Sequence, residues 1–85
     1  MPAEQPAKPV PSQTVQDIGY AKAKSIALNH AGLSENQAYD MDIGLDDEDG
    51  KLVYEIEFKS GNMEYDYEID AASGTILKHE AELDD

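Results

Sequence analysis

The stretch Leu52-Val53-Tyr54-Glu55-Ile56-Glu57-Phe58-Lys59-Ser60-Gly61-Asn62-Met63-Glu64-Tyr65-Asp66-Tyr67-Glu68-Ile69-Asp70 decides the fold. Leu52, Tyr54, Ile56 and Phe58 alternate with Val53, Glu55, Glu57 and Lys59. Met63, Tyr65, Tyr67 and Ile69 alternate with Glu64, Asp66, Glu68 and Asp70. A period of two with one apolar and one acidic side is the pattern of half-buried antiparallel strands. Gly61-Asn62 between two such runs signals a two-residue hairpin loop. With that loop, Phe58 opposes Tyr65, Ile56 opposes Tyr67 and Tyr54 opposes Ile69. Every apolar residue then meets an apolar one. A slip by one residue would turn the acids toward the core, so the register is strongly specified.

Upstream, Tyr39, Met41, Ile43 and Leu45 alternate with Asp40, Asp42 and Gly44, which predicts a further strand, and Asp46 to Gly50 reads as a turn. Downstream, Ala71-Ala72-Ser73-Gly74 reads as a turn, and Thr75 to Glu80 as a short fourth strand with Ile76 and Leu77 as its apolar content. From Val15 to Ala31 the spacing is helical. At 100° per residue Tyr20, Ala23, Ile26, Ala27, His30 and Ala31 share one arc, with Lys22, Ser25 and Asn29 opposite. A face so rich in alanine requires a close neighbour, which a sheet supplies. Asp17 or Gly19 is the expected N-cap, with Ile18 turned inward. Gly32 fits the left-handed position past the helix end, with Leu33 closing the cap. The expected fold is α+β: one N-terminal helix of about three turns across a three- to four-stranded antiparallel sheet. Asp17-Ile18-Gly19 recurs as Asp42-Ile43-Gly44, but the flanks diverge at once and no repeat follows.

The chain has 85 residues, room for one domain. Its four prolines all fall at Pro2, Pro6, Pro9 and Pro11. That composition marks residues 1–13 as an extended linker and leaves 14–85 as the domain. Nothing in the linker has the apolar core of a signal peptide. Either the chain is cytosolic, or an export segment has been trimmed and Met1 added. The Pro-rich spacer before an acidic module favours the second. Six Lys/Arg against nineteen Asp/Glu give a net charge of −13. Such a chain repels nucleic-acid phosphates and anionic lipid. No apolar run reaches the roughly 20 residues of a membrane span. The absence of cysteine excludes disulfides, thiolate metal sites and cysteine nucleophiles.

Sites of chemistry are sparse, and no catalytic, cofactor-binding or metal-binding residue is expected. His30 and His79 show neither HxxxH nor HExxH spacing, and His30 reads as a helix-end residue beside the last carbonyls. Asp46, Asp47, Glu48, Asp49 and Gly50 suggest calcium, but an EF-hand register puts Leu45 and Ile56 at the first and last ligand places, so the motif fails. The serines lack a nucleophile elbow. Paired carboxylates abound, yet on an open sheet face water keeps them ionised, so no acid–base pair forms and the chain reads as a non-enzyme. Tyr54, Tyr65 and Tyr67 read as core residues with hydroxyls at the rim. The feature that folding explains least is the acidic face. Glu57 opposes Asp66 and Glu55 opposes Glu68, with Asp40 and Asp42 added by the preceding strand. Two accounts stand: solubility with protection of the sheet edges, or a docking face for a basic partner or for cations.

The helical run Ala21-Lys22-Ala23-Lys24-Ser25-Ile26-Ala27-Leu28-Asn29-His30-Ala31-Gly32 precedes Tyr54-Glu55-Ile56-Glu57-Phe58, Tyr65-Asp66-Tyr67-Glu68-Ile69-Asp70 and Ala71-Ala72-Ser73-Gly74-Thr75-Ile76-Leu77. This sequence resembles the PepSY family, named for propeptides of thermolysin-like metallopeptidases and a spore-germination regulator. The resemblance runs over residues 17 to 80. It implies a helix-plus-antiparallel-sheet domain of cystatin-like architecture, an extracytoplasmic setting, no known catalytic site, and a role in binding or restraining peptidases; no cofactor is expected. With no peptidase sequence behind the domain, any inhibition is expected to act in trans on a peptidase, with another envelope protein as the alternative partner. An envelope sensor of cations or ligands and a structural spacer are the competing readings.

Overall fold

A computed structural model describes residues 17–84. The expected linker 1–13 lies outside the described residues. Helix α1 spans Tyr20–Ala31. A single 3-10 turn, Glu35–Gln37, leads into β1 (Tyr39–Glu48), β2 (Lys51–Ser60), β3 (Met63–Asp70) and β4 (Ile76–Leu83). The strands form one antiparallel meander in the order β1-β2-β3-β4. The fold is α+β, one helix across one face of a four-stranded sheet.

The central hairpin has the register that alternation requires: Phe58 pairs with Tyr65, Ile56 with Tyr67, Tyr54 with Ile69 and Glu57 with Asp66. Gly61 turns at φ 59° while Asn62 keeps negative φ, the pattern of a type II′ turn. On the helix side Tyr54, Ile56, Phe58, Tyr67, Ile69 and Ala71 are buried together with Ala23, Ala27 and Leu28 of α1. Phe58 lies flat against both Tyr65 and Tyr67, at 5.1 and 6.0 Å between ring centroids.

The helix starts later than the Val15 of the sequence pattern. Gly19, at φ 91°, is its N-cap, and no side chain caps the first turn. Asp17 works one step earlier, its Oδ1 accepting both the Gly19 N–H and the Tyr54 hydroxyl. The far end is a Schellman motif. Gly32 adopts φ 76°, its N–H donates to Asn29 and the Leu33 N–H to Leu28. Two residues depart from the expected arc, and the fold-back explains the first. Leu28 lay off the arc but is buried where the chain returns at Leu33. Tyr20, placed on the arc, is 53% exposed and touches Tyr54 edge-on at 5.1 Å, because it sits before the sheet gives cover. His30, also on the arc, is exposed at the last turn.

Two boundaries need correction. Asp46 to Gly50 is not one turn. Asp46, Asp47 and Glu48 remain in β1, paired with Val53, Leu52 and Lys51, and only Asp49-Gly50 forms the loop. Both loop residues have positive φ, 57° and 83°, as a type I′ turn demands of its Asp-Gly pair. The fourth strand runs past Glu80 to Leu83. Its apolar content also differs: Ile76 packs on the core, whereas Leu77 sits at a register shift and is 44% exposed.

Tyr54 carries a pH signature. Burial, followed by the Asp17 bond and charge, pushes its hydroxyl pKa up to about 12. The native state then keeps a proton that the unfolded chain releases near 10. Its contribution to stability is complete below about pH 10 and is lost as pH rises through about 12. Melting temperatures of the native protein should fall across this window more steeply than those of Tyr54→Phe. Parallel curves would show that the folded state does not hold the Tyr54 proton more tightly than the unfolded chain does.

Candidate functional site

The outer face of the sheet carries the charge that folding does not need. The register aligns Asp42, Glu57, Asp66 and Glu80 directly across all four strands, one acid per strand. The adjoining row is Gly44, Glu55, Glu68 and Lys78. Five of the six expected residues, Asp42, Glu55, Glu57, Asp66 and Glu68, therefore share one patch. Asp42, Glu55 and Glu57 are exposed, whereas Asp66 and Glu68 are half-buried, so the patch is less open than expected toward β3.

Asp40 leaves the row. A bulge between Tyr39 and Asp42 shifts the pairing, and Asp40 sits there at φ 54°. A non-glycine residue at positive φ bears strain that Asp tolerates better than most residues. Its carboxylate lies 4.0 Å from Lys59 Nζ, at the end of the patch.

Cations lie at the margins. Lys59 meets Asp84 at 3.2 Å, Lys51 meets Asp70 at 3.9 Å, and Lys78 meets Glu80 at 3.9 Å. The Asp84 contact, followed by Asp40 and Glu64, raises the Lys59 pKa despite partial desolvation. Among the described residues, none of the five acids of the patch forms an ion pair. Val53, on this same face between Asp46 and Asp70, is 1% exposed and stands apart from the core under the helix.

Two carboxylates show the local field. Glu55 is held above the usual carboxylate range, first by desolvation and then by Asp46, Glu48 and Glu68. Asp70 is held below it, chiefly by the Ala72 N–H that it accepts at 2.9 Å and by Lys51. The signs differ. A raised Glu55 gives a native state with more protons, so stability grows as pH falls from neutral through its folded pKa. A lowered Asp70 gives stability that is lost only as pH falls below the ordinary Asp range. Thermal stability should peak on the acidic side of neutrality, with a higher Tm at about pH 5.5 than at pH 7.

Glu57 lies between Asp42 and Asp66. Like charges directly opposed cost up to about 1 kcal/mol per pair, less when screened. Glu57→Lys should therefore raise stability by roughly 0.5–1 kcal/mol and shrink the stabilisation that salt gives. A Glu57→Lys protein less stable than the native one in urea titration would show that the row is already compensated.

The Asp46–Asp49 segment offers no calcium loop, because it is mostly strand. Instead Asp46, Glu48 and Glu55 bring carboxylate oxygens within 4.8 Å of one another on the outer face.

A second grouping escaped sequence reasoning. His30 and His79, 49 positions apart, lie with ring centroids at 4.6 Å. The Tyr67 hydroxyl is 2.9 Å from His30 Nδ1. The only sequence signal is that His79 falls at the apolar parity of β4, opposite Tyr67.

The family model "Peptidase propeptide and YPEB domain", PepSY, matches residues 17–80, the helix and all of the sheet except the end of β4. The chain belongs to the PepSY family. The "Uncharacterized protein Spy1430" of Streptococcus pyogenes serotype M6 is 46% identical over 77 residues, covering 88% of this chain and 59% of that protein. The chain thus spans about three-fifths of the length of this curated relative. No solved structure matches it. PepSY domains are generally non-catalytic, propeptide-like modules and are usually extracytoplasmic. Among the described residues, no helix is long and apolar enough to cross a membrane.

Proposed function

We propose that this PepSY domain is a non-enzymatic extracytoplasmic module that binds a peptidase, or another envelope protein with a basic surface, in trans through its acidic sheet face. The observation that carries the reading is the row Asp42–Glu57–Asp66–Glu80, one acid from each strand. Natural sheets need some edge charge to avoid pairing with one another. Central strands need none, yet Glu55, Glu57, Asp66 and Glu68 lie on the two central strands, where they repel one another. A complementary partner would relieve that repulsion, speed encounter and reject acidic surfaces. Family membership favours a peptidase as the partner, since the family is named for peptidase propeptides.

The test is capture. The immobilised domain, incubated with an extracytoplasmic fraction, should retain a peptidase at low salt and release it as salt rises. A Glu57→Lys/Asp66→Lys variant, folded as judged by circular dichroism, should lose that capture. Retention that is equal for both proteins would remove the acidic face from the mechanism. Capture of no peptidase by either would leave the spacer reading, and saturable calcium binding at fixed stoichiometry would turn the argument toward a cation sensor.

A further inference from the structure

We infer that His30 and His79 form a two-imidazole site for a borderline transition-metal ion such as Zn²⁺ or Ni²⁺, at the seam between the last turn of α1 and the edge strand β4. The fold makes this pairing. The Schellman end of α1 holds His30 over β3, and the β3–β4 register sets His79 opposite Tyr67. Both histidines are exposed, so an ion reaches them without any opening of the core.

The ring spacing suits a shared ion. Metal–nitrogen distances of about 2.0–2.1 Å put each ring centroid roughly 3.2 Å from the metal, and a tetrahedral angle then sets the two centroids about 5 Å apart. The observed separation is 4.6 Å, with the rings tilted by 52° rather than stacked flat.

Tyr67 supplies the support that such ligands need. Metal-bound imidazoles commonly donate the far N–H to a fixed acceptor, which sets tautomer and ring orientation. Tyr67 is 3% exposed, and its hydroxyl stands 2.9 Å from His30 Nδ1. In the tautomer whose Nδ1–H donates to that oxygen, the lone pair of His30 lies on Nε2, free for a metal ion. The same Tyr67 ring lies near-parallel to His79, 27° between planes and 6.2 Å between centroids, and so steadies the second ligand as well. Tyr67 is a positioning residue here, and water fills the remaining coordination places. Imidazole nitrogen selects Zn²⁺, Ni²⁺ or Cu²⁺ over Mg²⁺ and Ca²⁺, which prefer oxygen. The site is thereby chemically distinct from the carboxylates of the outer face.

The experiment titrates the full chain with Zn²⁺, and separately with Ni²⁺, while excess Mg²⁺ occupies the carboxylates. Calorimetry reads stoichiometry and affinity, and NMR reads the imidazole ring protons. One ion should bind per chain. Both histidine signals should shift together with Zn²⁺ and broaden together with Ni²⁺. His30→Asn and His79→Asn, both at exposed positions, should each lower affinity more than tenfold, and Tyr67→Phe should lower it about tenfold by freeing the ring. Glu48→Gln should leave it unchanged. Binding that survives either histidine substitution, binding lost with Glu48→Gln, a response from one imidazole only, or no binding at all would each overturn the site.

Discussion

Phe58→Ala is expected to remove about 3–5 kcal/mol of stability. A domain of this size holds only roughly 3–10 kcal/mol in total, so much of the variant population would be unfolded at room temperature. Phe58 is 1% exposed on a central strand, between Ile56 and the hairpin turn. Its ring supports Tyr65 and Tyr67, so removal forfeits two aromatic stacks along with the transfer term. Its neighbours are held in place by main-chain pairing along β2 and β3, so the space closes only in part. Urea unfolding followed by circular dichroism measures the loss, with Phe58→Leu as the milder comparison. A Phe58→Ala midpoint close to the native one would show that the hairpin core is elsewhere.

Ala27→Leu should act from the opposite side of the same interface, costing about 1–3 kcal/mol by overpacking. Ala23 and Ala27 are both fully buried. Alanine at these positions lets the helix backbone approach the sheet closely. Three added heavy atoms at Ala27 force α1 away from β2 and β3 and loosen Leu28 and Ile26 with it. Ala21, exposed on the same helix, is the control. Ala21→Leu should change stability by no more than about 0.5 kcal/mol. Equal effects at both positions would mean that the alanine face does not set the helix–sheet distance.

Much of this fold was legible in the sequence because two strong signals agreed. Alternation through Leu52–Asp70 fixed the central pairing, and helical spacing with Gly32 fixed the end of α1. The misses share a physical origin in residues whose role depends on distant partners. Asp46–Glu48 looked like loop because acids dominate it, yet pairing with Lys51–Val53 keeps it in the sheet. Ala81 and Leu83 continue β4 in a period of two with Leu77 and His79, but charged and small residues dilute that signal and main-chain pairing with β3 carries the strand on. Leu28 is buried by a chain reversal that periodicity cannot register. The acidic row was readable up to the β1 bulge, which displaced Asp40, and its fourth member, Glu80, required knowing that β4 pairs in register. His30 and His79 could not be joined at all from spacing, since only the three-dimensional path of β4 beneath the end of α1 brings them together.

The plain meander of the sheet also orders events in time. Every strand pairs with its neighbour in sequence, so each hairpin closes over a short loop, whereas α1 must reach past β1 to find β2 and β3. Local closures are fast and distant ones slow. The β2–β3 hairpin, with the best-specified register and the largest aromatic contacts, is the natural folding nucleus, and α1, although it precedes every strand, has nothing to dock on until β2 and β3 have followed. A φ-value near one at Ile56 and near zero at Ala23 would express that sequence of events; the reverse pattern would make the helix the template. Until the hairpin closes, the alanine face of the helix is an unclaimed surface on the nascent chain, and the helix that comes first in the sequence becomes the last piece to be fitted.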